Sequence, residues 1–253
     1  METEKILNFS SELGRQLLQN GAEIYRVEES IEFLLAAYGF EKVEVFAIPA
    51  FIVLNIQTEE RNFTKAVRVR TSSLNLRKLH RLNALCRELC RETPDLEEAN
   101  RRFEAVLAEP RYSPAMAYLS FGMVAMFFTL FWGGTVADAA IAFGCGLLIR
   151  WIVTFMSRVR ANVFFTNLVA AAVADLPATL LNMVGASVHM DKIIIGTIML
   201  LVPGLAITNV MRDVLAGDFL TALTRFAEVL IVAMGISIGV AIAIMVPRTL
   251  MGL

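Results

Sequence analysis

Two apolar periods alternate along residues 1–113. Between residues 3 and 19 the apolar positions Ile6, Leu7, Leu13, Leu17 and Leu18 fall near the 3.6-residue helical repeat. Asn20-Gly21 breaks that run. A second helix is predicted from Ala22 to Tyr38, with Ile24, Val27, Ile31, Leu34 and Leu35 on one face and Gly39 at its end. Residues 42–47, 51–57 and 63–70 are short and rich in Val, Ile and Phe. They predict three strands, the first two joined around Ile48-Pro49-Ala50. Helical spacing returns over 74–92 and 95–108, separated by Thr93-Pro94, with Thr93 or Asp95 placed to cap the second helix. This pattern predicts an α+β domain over residues 1–113, large enough for its own core.

From Pro114 the polar positions thin out. Apolar runs fall at about 115–132, 136–156, 161–183, 193–211 and 219–246. A bilayer core needs about 20 apolar helical residues, so residues 114–253 are expected to form five spans. The fold class is therefore an α-helical polytopic membrane protein with an N-terminal α+β cytoplasmic domain. Arg101, Arg102 and Arg111 precede the first span, Arg150, Arg158 and Arg160 surround the next connection on that side, and Arg212 follows the fourth. Lys192 and Arg248 are the positive residues on the opposite side. The positive-inside rule then puts the N-terminus in the cytoplasm and the C-terminus outside a plasma (inner) membrane. The opening METEKILNFSSELG has no basic stretch leading into an apolar run, so no signal peptide is expected.

Composition sharpens the division. Of 253 residues, 57% are hydrophobic, above the ~45–50% usual for soluble domains. Residues 1–114 carry 16 Lys/Arg and 18 Asp/Glu, whereas residues 115–253 carry only 7 and 6. That asymmetry excludes a single soluble domain, a disordered chain and a fibrous protein. A net charge of -1 without a basic tract argues against nucleic-acid binding. Cys86, Cys90 and Cys145 do not make a disulfide framework. Cys86 and Cys90 lie one helical turn apart, with His80 upstream, but lack a second ligand pair at metal spacing. Helix packing is the simpler reading, and neither a metal nor a cofactor is expected.

Polar residues inside apolar helices are expensive, so each needs a partner or a task. Asp175 sits deep in the third span, followed by Pro177. Asn167 and Asn182 lie near the same side of that helix. Asp175 either hydrogen-bonds a neighbouring helix or serves transport or a proton relay. Asp138, near an end of the second span, is equally placed to cap it. In the fourth span Pro203 removes a backbone donor and Gly204 loosens the same turn. The result is a packing kink or a broken helix of the kind on which transporters build substrate sites. Asn209, Arg212, Asp213 and Asp218 surround the connection at Gly217, which reads equally as a solvated turn with an Arg–Asp pair. Thr221, Arg225 and Glu228 share one face. Arg225 would suit a substrate carboxylate, or it and Glu228 neutralise each other. Gly235-x-x-x-Gly239 and the small residues Gly144-Cys145-Gly146 and Ala170–Ala172 favour close helix packing in a bundle.

Two blocks of the chain resemble a known family. Gly21-Ala22-Glu23-Ile24-Tyr25-Arg26-Val27-Glu28-Glu29 and the Leu74-Asn75-Leu76 region form the N-terminal match. Gly196, Leu201-Val202-Pro203-Gly204, Asn209, Arg212-Asp213, Gly217-Asp218, Arg225 and Glu228 form the membrane match. Together they resemble the threonine/serine exporter (ThrE-like) family, particularly the YjjP-like subunits of its split, two-component form. Ala222 and the Ile48-Pro49-Ala50-Phe51 turn depart from the family pattern. The resemblance implies export of small amino or carboxylic acids, threonine/serine or a dicarboxylate such as succinate, and the titratable Asp175 adds an expected coupling to the proton gradient. It also implies a small YjjB-like membrane partner; an oligomer in the lipid bilayer is expected besides. Asp175, Asn167, Pro203, Gly204, Asn209, Arg212, Asp213, Asp218, Arg225 and Glu228 are then the transport candidates. Glu23, Arg26 and Glu28 mark the soluble domain.

The competing readings are a membrane-anchored sensor or a hydrolase acting through the N-terminal domain. A hydrolase would use Glu23 and Glu28 as acid and base. Five residues apart on a helix, these lie about 140° around and do not converge unaided. Residues 1–114 carry no Ser-His-Asp, Cys-His or nucleotide-binding motif, so an enzyme is not expected.

Overall fold

A computed structural model describes residues 2–59, 61–69, 74–110 and 112–251. Contacts divide the chain into two units, Met1–Pro110 with Arg212–Thr224, and Arg111–Met211 with Arg225–Leu253. The expected contributions of Arg111 to orientation, of Arg70 to the third strand and of residues 70–73 to the family-like region lie outside the described residues.

In the first unit, α1 (Glu2–Gln19) and α2 (Ile24–Ala37) precede β1 (Val43–Ile48), β2 (Phe51–Gln57) and β3 (Asn62–Arg68). Helices α3 (Leu76–Glu92) and α4 (Leu96–Ala108) follow. Gly21 and Gly39 end the first two helices with φ of +95° and +91°, a conformation that costs glycine no Cβ clash. The strands form an antiparallel sheet ordered β1-β2-β3, with Ile48 opposite Phe51 across the first turn and Ile52 opposite Val67 across the second pair. Side chains alternate along a strand, so β2 sends Ile52, Leu54 and Ile56 into the core and its other residues toward the surface. They meet Leu13, Leu17, Ile31, Leu34, Leu82 and Leu89, while Phe9 packs edge-on against Phe103 at 5.6 Å. Asp95 is the cap of α4, its carboxylate accepting the Glu98 N–H at 2.7 Å. Thr93 instead closes α3 in the left-handed conformation.

The second unit is helical. Helices α5 (Pro114–Phe131), α6 (Val136–Arg158), α7 (Val163–Met183) and α10 (Phe219–Met251) are long and apolar enough to cross a membrane. Their outward residues include Phe127, Phe131, Trp151, Phe155, Leu230 and Ile238, all exposed, as lipid-facing positions require. The interior is small: Ala125, Ala142, Cys145, Ala170, Ala171, Ala174 and Ala178 are buried.

The expected fourth span, 193–211, is not one continuous helix. Instead of one helix it forms α8 (Met190–Ile198) and α9 (Gly204–Ala216), neither long enough to cross alone. Pro203 has no N–H for the Met199 carbonyl, and its ring disfavours helical backbone at Val202. Residues 199–202 accordingly tighten, with Leu200 and Leu201 N–H groups bonding Thr197 and Ile198 carbonyls at 3.1 and 2.8 Å. The fifth expected span, 219–246, extends to Met251. At 33 residues α10 is about 50 Å long, well beyond the ~30 Å hydrocarbon core.

Candidate transport site

Asp175 is buried in the membrane unit, with 1% of its surface exposed. The Thr197 hydroxyl, one residue before α8 ends, donates to its Oδ1 at 2.7 Å. Oδ2 has no hydrogen-bond partner among the described residues. Pro177 leaves the Val173 carbonyl without its helical donor, and the Thr179 hydroxyl bonds the Asp175 carbonyl at 3.2 Å. A carboxyl group thus lies in a loosened turn of α7, bridged to the helix that breaks at Pro203. The hydrogen bond to a neighbouring helix, one of the two readings of Asp175, is present. Asn182 is exposed, and the half-buried Asn167 bonds its own helix through Val163 O at 2.8 Å.

Two contacts seat α8. Gly196 meets α5 so closely that a Cβ there would lie 2.8 Å from Thr129 N and 2.9 Å from Ala125 O. Asp138 completes a capping box at the start of α6, accepting Thr135 N–H while the Thr135 hydroxyl accepts Asp138 N–H. Its other oxygen accepts His189 N–H at 2.9 Å, and His189 Nδ1 lies 2.9 Å from Oδ2. The cap was legible in the sequence. The tether to His189, 51 residues away, was not, because local spacing carries no such pairing.

A second cluster lies in the first unit and unites two separate sequence motifs. Glu23 precedes α2, and its carboxylate pairs with Arg26 Nε at 2.8 Å and with the Arg212 guanidinium from α9. Arg212 thus pairs with an acid far away in sequence. Glu28 Oε1 accepts the Ala47 N–H of β1 at 2.7 Å. Burial raises its pKa above the ordinary carboxylate value, and Asp218 and Glu32 add to the rise, against the Ala47 hydrogen bond. Gly217 turns the chain at φ +84°, after which Asp218 caps α10 by accepting Thr221 N–H at 3.2 Å. Asp213 is buried, and Asn209 is half-buried on α9.

The transport candidates therefore divide. Arg212, Asp213 and Asp218 group with Glu23, Arg26 and Glu28, whereas Asp175, Asn167, Pro203, Gly204, Asn209, Arg225 and Glu228 belong to the membrane unit. Along the face shared by Thr221, Arg225 and Glu228, burial grades from complete to half to exposed. His80 is exposed while Cys86 is buried. Among the described residues no three His, Cys, Asp or Glu side chains are grouped to hold a metal.

Residues 8–246 match the family described as "Putative threonine/serine exporter" (ThrE). The chain is 26% identical over 257 aligned residues to the threonine/serine exporter of Corynebacterium glutamicum, covering 97% of this chain and 52% of that protein. It is 22% identical to the "Probable threonine/serine exporter" of Mycobacterium tuberculosis, covering 96% of this chain and 46% of the other. A fungal relative, pheromone-regulated membrane protein 10 of Eremothecium gossypii, is 26% identical over 78% of this chain and 27% of its own length. The chain spans about half the length of the two bacterial exporters it matches. No solved structure matches it.

Proposed function

The chain belongs to the threonine/serine exporter family, a family of multi-pass membrane transporters rather than enzymes, and from that premise we propose that it is one subunit of a proton-coupled exporter of small amino or carboxylic acids. Threonine, serine and dicarboxylates such as succinate are the candidate substrates. A small YjjB-like membrane protein is the candidate partner, as the resemblance to YjjP-like subunits implies. Transporters commonly place their sites where paired repeats meet.

The observation that carries this reading is the bridge from Asp175 to Thr197 beside the α8–α9 break. Broken helices free backbone groups that only a protein-lined or watery cavity tolerates. Asp175 is the titratable group for coupling, and Arg225 on α10 is the guanidinium for a substrate carboxylate. Arg212–Thr224 groups with the N-terminal residues, so the chain returns to that unit between α8 and α10. The apolar run over α8 and α9 favours a discontinuous crossing, hence five passages, and the arginine bias favours a cytoplasmic N-terminal domain and an outside C-terminus. The N-terminal domain would gate transport through the Glu23–Arg212 pair.

Counterflow of labelled threonine, serine and succinate in liposomes tests the reading, with the chain alone and with a four- or five-span partner. Uptake that needs both proteins and responds to an imposed pH gradient is the expected result. Flux of none of the three substrates in the reconstituted pair would overturn the substrate assignment.

A further inference from the structure

A cleft of about 440 Å³ opens between α2 and α3 in the first unit. Phe33 of α2 forms one wall, 61% exposed, and α3 supplies Asn83, Cys86, Arg87, Cys90 and Arg91. These α3 residues share one face because they recur at three- and four-residue steps. Cys86 is buried and its S–H points to the Ser30 carbonyl at 3.5 Å, while Cys90 is half-buried at the cleft. Both thiols are free. The Arg87 and Arg91 side chains are exposed around them, and Arg91 is engaged by Glu92 at 3.1 Å through one nitrogen, Nη2. Two free thiols, Cys86 facing the Ser30 carbonyl and Cys90 at the cleft, and two guanidinium groups thus line one small cavity.

We propose that Cys90 is a covalent modification site for small carboxylate-bearing disulfides, which Arg87 and Arg91 draw into the cleft. Cys86 is a positioning residue whose S–H turns from the Ser30 carbonyl to the reacting sulfur as the Cys90 thiolate forms. Hydrogen bonding from Cys86 holds Cys90 down at about 7 against the opposing effect of burial, while Cys90 and burial push Cys86 up. A thiolate is the reactive form. In the reaction Cys90 S⁻ attacks one sulfur of the disulfide, the S–S bond breaks, and the second half leaves as a thiolate that is protonated by solvent. The product is a mixed disulfide on Cys90. Cys86 does not displace it, because Cβ atoms one helical turn apart are roughly 5–6 Å from each other. A disulfide requires about 3.5–4.5 Å.

The test uses the purified full chain in detergent, with glutathione disulfide as modifier and peptide mapping as readout. Iodoacetate and iodoacetamide then compare an anionic with a neutral reagent at low ionic strength. Modification should map to Cys90 before Cys86 or Cys145, with an iodoacetate-to-iodoacetamide ratio several-fold above that of N-acetylcysteine. Arg87→Gln with Arg91→Gln should bring that ratio down to the free-thiol value while sparing the iodoacetamide rate. Cys86→Ser, which keeps a donor, should retain most of the reactivity, and Cys86→Ala should lower it several-fold. First modification at another cysteine, or a charge preference indifferent to both arginines, would overturn the assignment. The arginine arm decides the matter even if Cys86→Ala fails to fold.

Discussion

Thr197 on α8 donates its hydroxyl to Oδ1 of Asp175 on α7 at 2.7 Å, and no other side chain of the described residues hydrogen-bonds that carboxylate. One hydroxyl proton serves a group with about four acceptor positions. Asp175→Asn keeps the shape and removes the titration. It is expected to insert and fold like the parent but to lose the response of counterflow to an imposed pH gradient. Thr197→Val removes the donor and should destabilise the protein by roughly 1–3 kcal/mol, the penalty of an orphaned buried acceptor. Arg225→Ala should abolish flux. Thermal unfolding in detergent, beside counterflow between pH 6 and 8, separates the stability effect from the coupling effect. Wild-type flux and pH response in both Asp175→Asn and Arg225→Ala would make these charges structural.

Gly196 and Gly144 make a matched pair for testing how tightly α8 is seated. A Cβ on Gly196 would collide with the backbone of α5, whereas one on Gly144 meets nothing within 4 Å. Gly196→Ala should lower the unfolding temperature and, by displacing Thr197 from Asp175, slow transport. Gly144→Ala should raise it slightly, since alanine in an open helical position gains about 0.5–1 kcal/mol over glycine. Equal shifts for the two variants would show that α8 is loosely packed.

Much of this was written in local spacing. The short apolar run over residues 51–57 predicts β2, and Asn20-Gly21 marks the end of α1, because these signals depend on neighbours a few residues away. The Asp138 cap is equally local. The break in the fourth span was half legible: Pro203 announces that the helix is disturbed, but not that residues 199–202 leave it altogether. What the sequence does not display is pairing at a distance. Glu23 with Arg212, Asp138 with His189 and Asp175 with Thr197 join elements whose separation is set by packing, and no periodicity encodes them.

Glu28 supplies a pH signature of the first unit. Its folded pKa is raised, chiefly by burial, so the folded state holds its proton more firmly than the unfolded chain. The stability contributed by the protonated form is therefore complete at low pH and is lost as pH climbs from the ordinary carboxylate range through the raised value. Glu28→Gln keeps an acceptor for Ala47 N–H but removes the charge facing Asp218 and Glu32. It should leave the unfolding temperature unchanged near pH 4 and raise it at pH 7.5. A destabilised variant at pH 7.5 would mean that the carboxylate is favourably bound.

The Glu23–Arg212 pair offers the sharpest test of coupling between the N-terminal unit and the break. Glu23 is 13% exposed at its side chain and Arg212 46%, so solvent screens the pair from one side only. Glu23 also holds Arg26, and removing it frees two cations, whereas removing Arg212 leaves Glu23 with one. Glu23→Gln should therefore perturb stability more than Arg212→Gln. α9 carries Arg212 and begins at Gly204, directly after Pro203, so a change at this pair acts on the helix that ends the break. Both single variants should slow counterflow several-fold, with the larger fall in unfolding temperature in Glu23→Gln. The exchange Glu23→Arg with Arg212→Glu should recover part of the flux, and the cycle should give a coupling of about 0.5–3 kcal/mol, as for residues in direct contact. If the two single effects simply add, with no recovery in the exchange, the pair is a surface contact and the N-terminal unit does not gate through it.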